Sequence, residues 1–233
     1  MGSTRAAMAS VDLHCHTSAS FDSLADPVAV VAKAAARGLT HLAITDHDTL
    51  DGAFRARDAA PAGLTVIIGC EVLTTWGDLI VLFLERPIPT GLTPREAIKA
   101  AREQGALVGM PHPFDSARRS VLGGPDQDHQ LLAADVDWLE TLNARVTHGD
   151  HNAHAAKLAR KLGRPGVAVS DAHSLLEMGA ALTRMDGDPS TPAGLLAALR
   201  GTLELVTADD ANDAARAPRP SGPLGWRRPR NRM

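Results

Sequence analysis

Short apolar runs rich in valine, isoleucine and leucine recur along the chain, separated by segments with helical spacing and readable ends. The runs read as strands are VDLHC (11–15), LTHLAIT (39–45), LTVIIGC (64–70), LIVLFL (79–84), ALVGM (106–110), DWLETL (137–142), GVAVS (166–170) and LELVT (203–207). Between them, Asp26-Pro27 supplies a helix N-cap with a proline at N1, and Gly38 ends that helix. Thr93-Pro94-Arg95-Glu96 reads as a capping box closed by Gly105. Thr191-Pro192 opens a helix that stops at Gly201, and another runs from Asp150 to Leu162 with Gly163 as its stop. Strands alternating with such helices indicate parallel βαβ units. About seven repeats without a glycine-rich phosphate loop favour a closed or nearly closed α/β barrel over a dinucleotide-binding sheet.

A chain of 233 residues with 44% hydrophobic composition can bury one sizeable core. The expected organisation is a loose arm at 1–10, one catalytic domain at 11–213 and an Arg/Pro-rich tail at 214–233. Residues 216–233 hold six arginines and no acid, which reads as a solvated tail. A formal charge of -3 provides no global basic field, so nucleic acid is expected only as a substrate or through that tail. Two cysteines are too few for a disulfide framework, no leader pattern stands near the N-terminus, and no apolar run is long enough to cross a bilayer. A cytoplasmic protein without membrane contact is expected, and its oligomeric state is not written in these features.

The chemistry gathers at the ends of the strand runs: His14-Cys15-His16, Thr45-Asp46-His47, Gly69-Cys70-Glu71, Pro111-His112-Pro113, Glu140-Thr141-Leu142-Asn143 and Ser170-Asp171-Ala172-His173. In a parallel barrel those ends converge on one face. Residues two apart in a strand share a side, so His14 and His16 can chelate one ion together while Cys15 points away as a small buried hydrophobe. Cys70 is read the same way, and His41, His129, His148, His151 and His154 as ordinary surface or core residues. Gathering carboxylates and imidazoles without a partner would be costly, and divalent metal ions remove that cost; this ligand chemistry suits zinc, manganese or iron.

HCH near the N-terminus, TDH some thirty residues later, a Glu closing the third strand, a His in the fifth and SDAH near the end together resemble the polymerase and histidinol phosphatase (PHP) domain family, over about Val11 to Asp210. The resemblance implies a distorted (β/α)7, TIM-like barrel and a phosphoesterase with two or three divalent metals. It implies that His14, His16, Glu71 and Asp171 hold a first ion, that Glu71 reaches a second ion held also by His112, and that Asp22, His47 and His173 hold a third. Asn143 stands where many members supply a further histidine. The stretch between Glu71 and His112 is too short for the helical insertion of some nucleotide phosphatases, so an open site is expected.

The expected reaction is in-line attack of activated water on a small phosphorylated substrate, a nucleotide or another phosphomonoester. Asp171 would orient the nucleophile, with His47 or His173 near the leaving oxygen. Arg145, on the same side as Asn143, is a candidate phosphate clamp; the alternative for it is a salt bridge with Asp137 or Glu140. Asn143, Arg118 and Arg119 complete the substrate candidates, although adjacent arginines cannot easily both face a site. Asp46 and Asp48 are candidate acceptors for His47. Rival readings are an oligonucleotide exonuclease or phosphodiesterase, a histidinol-phosphate phosphatase, an amide or ring hydrolase on the same barrel, and a non-catalytic module stapled by metal.

Overall fold

Successive residues of the apolar runs go to opposite faces, and here both faces are covered. In the fourth strand, Ile80 and Leu82 join Val11, Leu13 and Trp138 in one buried cluster, whereas Leu79 and Val81 join Val108 and Met110 in another. Two covered faces explain why these runs read as continuously apolar rather than alternating. The computed structural model describes residues 8–118, 120–121, 131–147 and 149–207. Its elements are β1 (Ala9–Asp12), α1 (Pro27–Ala36), β2 (His41–Ile44), α2 (Asp51–Asp58), β3 (Thr65–Thr74), β4 (Gly77–Leu82), α3 (Pro94–Arg102), β5 (Leu107–Met110), β6 (Trp138–Asn143), α4 (His151–Leu162), β7 (Gly166–Val169), β8 (Ala181–Met185), α5 (Pro192–Leu199) and β9 (Leu203–Thr207).

The strands form one sheet in the order β7-β6-β5-β4-β3-β2-β1-β8-β9. It curls into a nearly closed barrel, because the segments following β1 and β7 meet. Asp171 N–H donates to His14 O at 3.0 Å, His16 N–H donates to Ala172 O at 2.9 Å, and Cys15 and Ala172 form a parallel bridge. Thr183 of β8 also ties into β7, its hydroxyl accepting from Ala168 N–H and donating to Ala168 O.

The helix ends follow the local chemistry. Asp26 accepts from the N–H groups of Val28 and Ala29, Thr93 and Glu96 form the reciprocal capping box, and Gly163 adopts φ 61° at the end of α4. The strictly parallel reading needs correction at two places. β4 pairs antiparallel with both β3 and β5, and β8 pairs antiparallel with both β1 and β9. The Thr75-Trp76 turn joins β3 to β4 and is far too short for a parallel crossover. Ala9 and Ser10, assigned above to the arm, belong to β1 and pair with Met185 and Arg184. The tail at 214–233 lies outside the described residues. No helix among the described residues is long and apolar enough to cross a membrane.

Candidate metal centre

β1 delivers His14 and His16 to one side of the barrel mouth, their Nε2 atoms 2.9 Å apart. Cys15 between them turns into the apolar layer beneath α1, as its size and chemistry anticipate. Glu71 of β3 reaches across the mouth: its Oε2 lies 3.2 Å from Nε2 of both His14 and His16, and its Oε1 lies 3.2 Å from His112 Nε2. Asp171, just beyond β7, places Oδ1 at 3.4 Å from His14 Nε2 and 3.6 Å from His16 Nε2. Asp22 Oδ2 stands 3.0 Å from His173 Nε2 and 3.3 Å from His47 Nε2. The structure therefore brings His14, His16, Asp22, His47, Glu71, His112, Asp171 and His173 together. His16 is shared, since its ring nitrogen falls within 4.8 Å of donor atoms of both the His14–Asp171 pair and the Asp22–His47–His173 group.

The outer nitrogens of these rings are tied down as well. His14 Nδ1 meets Glu140 Oε1 at 2.7 Å, His16 Nδ1 meets Ser20 Oγ at 3.1 Å, His112 Nδ1 meets Ser120 Oγ at 3.1 Å, and His173 Nδ1 meets Asp171 O at 2.9 Å. An acceptor at Nδ1 favours a proton there, so that Nε2, on the carboxylate side, is the nitrogen left to bind a cation once its own proton is displaced. Two of these residues hold left-handed backbone, His112 at φ 26° and Asp171 at φ 53°. Such conformations cost about 1–3 kcal/mol each and persist where surroundings enforce them. Here His112 N–H donates to Glu140 Oε2 at 2.9 Å, and the Asp171 N–H is spent on the barrel seam.

The electrostatics agree with a cation site. Burial alone would lower the His14 pKa, but the carboxylates of Asp171, Glu140 and Glu71 carry it well above its ordinary value. Burial would raise Glu71 and Asp171, yet His14 and the neighbouring cationic groups hold Glu71 well below the carboxylate range and Asp171 below it. Without a cation His14 thus favours its protonated form against ionised Glu71 and Asp171, and a divalent ion would displace that proton. Inward Nε2 atoms, bridging carboxylate oxygens and anchored tautomers fit divalent metal. Asp12, below the cluster, accepts from Ser170 N–H and His14 N–H through Oδ1, and burial pushes its carboxyl up to about 7.

Around the cluster lies a cavity of about 570 Å³ whose lining includes Phe21, Leu73, Arg118 and Arg145. Arg118, which as one of two adjacent arginines had no clear claim on the site, turns into it. Its guanidinium binds Asp115 Oδ2 at 2.7 Å, contacts Asp171 Oδ2 and lies 3.5 Å from Asn143 Oδ1. Arg119 lies outside the described residues, as do His129 and His148. Arg145 lines the cavity but pairs with neither Asp137 nor Glu140. Its loose partner is Glu177 at 3.9 Å, because Asp137 is taken by Arg102 and Glu140 by His14. Asn143 donates through Nδ2 to Glu140 Oε2 at 2.8 Å and to Asp171 Oδ2 at 2.9 Å, so its side chain holds the acids rather than standing free for substrate. Asp46 and Asp48 do not serve the His47 ring: Asp46 accepts from Thr17 N–H at 2.6 Å and from the Thr17 hydroxyl at 2.7 Å, and Asp48 accepts from Leu73 N–H at 3.0 Å.

Ser20, Ser120 and Glu140 are the contributors that sequence reasoning gave no role as anchors. For Glu140 a signal existed, because Trp138 faces the barrel interior and strand alternation sends Glu140 the same way. The serines sit in loops, where no periodicity announces a direction.

The PHP domain model matches residues 12–134, and the PHP-associated model matches residues 149–202. A 3',5'-nucleoside bisphosphate phosphatase of Chromobacterium violaceum is 37% identical over 125 residues, 48% of this chain and 44% of that protein. A 5'-3' exoribonuclease of Haemophilus influenzae is 32% identical over 131 residues, 51% of this chain and 47% of that protein. This chain thus spans less than half the length of either relative. In fold it is similar to a two-domain protein of Bacteroides vulgatus containing a predicted PHP-like metal-dependent phosphoesterase, with TM-score 0.72 and 18% identity, covering 86% of this chain and 65% of that one. With a family model covering more than half its length, and with the motif histidines and acids gathered at one barrel mouth, the chain belongs to the PHP domain family of metal-dependent phosphoesterases.

Proposed function

We propose that this chain hydrolyses a small phosphate ester, a nucleotide or another phosphomonoester, using two or three divalent cations (Mn2+, Zn2+ or Fe2+). His14, His16, Glu71 and Asp171 would hold one, Glu71 with His112 a second, and Asp22, His47 and His173 a third. The observation that carries this reading is the common orientation of four imidazoles, each tied outward through Nδ1 with its Nε2 left among carboxylate oxygens. The chemistry such cations supply when bound is Lewis acidity toward phosphoryl oxygens and water that ionises near neutral pH.

The chain's own groups do the rest. Asp171 faces the histidines with Oδ1 while Arg118 and Asn143 hold Oδ2, so its free lone pair can orient the attacking water. Arg145, on the cavity wall, offers a planar fork of N–H donors to the phosphoryl oxygens, and Arg118, already engaged by Asp115 and Asp171, adds its charge and its remaining N–H groups on the same wall. His47 and His173 are only partly buried, and at the rim they are suited to pass a proton to the leaving oxygen. A cavity of about 570 Å³ matches a small molecule.

A second reading, removal of nucleotides from the end of an oligonucleotide, draws support from the exoribonuclease relative and from the open mouth. Between Glu71 and His112 only the rest of β3, β4, α3 and β5 intervene, with no inserted cap. Phosphate release from nucleotides, histidinol phosphate and aryl and aliphatic monoesters, run beside oligonucleotide shortening, decides between them. Each assay is repeated with added Mn2+, Zn2+ or Fe2+ and with chelator. Full activity of metal-free protein would refute the mechanism, as would wild-type rates in Asp171→Asn or His14→Ala.

A further inference from the structure

The loop between β1 and α1 carries an aromatic ring for which the metal centre has no use. Phe21 follows Ser20, whose hydroxyl oxygen is held by His16 Nδ1 at 3.1 Å and by His47 N–H at 2.9 Å, so its backbone is fixed next to a firm anchor. The ring lies flat on the His47 imidazole, with centroids 4.9 Å apart and planes inclined by 24°. It also lines the cavity, yet the residue is 87% exposed. Phenylalanine left in water forgoes what an apolar ring gains from burial, and a covering role for His47 alone would not require so open a ring. His47 takes one face, and the exposure leaves the other to solvent at the cavity mouth.

We propose that Phe21 is a stacking platform for a planar aromatic group carried on the leaving side of the substrate, a nucleobase or a ring of similar shape, with the phosphoryl group at the histidine–carboxylate cluster. The proposal rests on the phosphoester reading above and narrows it to esters bearing a flat ring. Such a ring would continue the stacked Phe21–His47 pair, which stands beside a second stacked pair, His16 and His173 at 4.1 Å, with His16 and His47 tilted by 38° at 4.8 Å between them. Aromatic faces take any base, because every base has a π-face. The platform therefore selects for flatness and leaves the identity of the ring to other contacts.

The test compares wild type, Phe21→Ala and Phe21→Trp on adenosine 5'-monophosphate, a short oligonucleotide and glycerol phosphate. In Phe21→Ala the ratio of kcat/KM for a base-bearing ester to that for glycerol phosphate falls about tenfold, mainly through KM, and tryptophan restores it. A fall confined to the mononucleotide or to the oligonucleotide identifies where the base comes from and supports the platform in either case. An unchanged ratio, whether neither rate moves or both fall together as they would if Phe21 merely propped His47, overturns it. Calorimetric titration with adenosine 5'-monophosphate reads the platform independently of turnover, with affinity about tenfold weaker in Phe21→Ala. If wild type hydrolyses none of the esters, the phosphoester reading fails while the titration still decides the role of Phe21.

Discussion

Replacing Glu140 with glutamine changes almost nothing in volume and everything in donor pattern. The carboxylate accepts three bonds in a fully buried setting: from His14 Nδ1 at 2.7 Å, from His112 N–H at 2.9 Å and from Asn143 Nδ2 at 2.8 Å. Glutamine has one oxygen and one NH2. If the oxygen faces His14, the NH2 confronts two donors, each left unsatisfied at about 1–3 kcal/mol. If the NH2 faces His14 instead, one mismatch remains, and the imidazole relieves it by moving its proton to Nε2. The second arrangement costs less, and it blocks the nitrogen that faces Glu71 and Asp171. Loss of such an outer partner lowers metal affinity about 10–100-fold. That corresponds to about 1.4–2.7 kcal/mol, and the stabilisation conferred by saturating metal shrinks by the same amount. Competition with a chromogenic chelator gives the affinity, and thermal melts with and without metal give the lost stabilisation. Equal metal affinity in Glu140→Gln and wild type would refute the assignment of His14 tautomer to Glu140.

Further expectations are independent of that one. Gly109→Ala would place a Cβ 2.1–2.4 Å from atoms of the buried Trp138 ring, and overpacking of about 1–3 kcal/mol should lower the melting temperature by roughly 2–12 °C; an unchanged melt would mean that the ring moves freely. Burial raises the thiol pKa of both Cys15 and Cys70, so a thiol reagent at pH 8 should leave native protein unlabelled and modify two cysteines after denaturation, and rapid labelling of native protein would contradict the packing. Arg118→Ala should raise KM for phosphate esters about tenfold or more, because it removes a charge and its remaining N–H groups from the cavity wall, and the effect should exceed that of Arg145→Ala, whose guanidinium is more exposed. Equal KM values across all three proteins would remove both arginines from substrate binding.

The barrel and its mouth were legible because they depend on local regularities. Proline-led caps, glycine stops and doubly covered apolar strands survive in the sequence, and polar ligands at strand ends stand out against them. What escaped depends on contacts between distant segments. β8, with Thr183 and Arg184 at its centre, lacks a continuous apolar run, and it earns its place through pairing with β1 and through the Thr183 hydroxyl on Ala168. α2 opens at Leu50, which provides no side-chain cap, and contains Gly52. That glycine is required by close approach rather than by helix chemistry, since a Cβ there would fall 1.9 Å from Asp46 Oδ2. The antiparallel β3–β4 hairpin was hidden by the length of its two apolar runs. The ligand residues were legible one by one, whereas the groups that hold them were not: Ser20 and Ser120 are loop residues of unremarkable type, and Arg118 is turned inward by Asp115 and Asp171 from elsewhere in the chain.

The seam where the segment after β1 meets the segment after β7 also sets the order of events in the life of the molecule. His14 and His16 are joined to Asp171 and Ala172 by backbone hydrogen bonds, so the centre cannot assemble on a ribosome until most of the described chain has emerged. A cation held between His14 and Asp171, as proposed above, would act as a clasp on a long loop of the chain, where the entropic gain from a cross-link is large. Stripping the ion should accordingly loosen β1 and β7 together, and hydrogen exchange should show the segments that follow them opening as one unit.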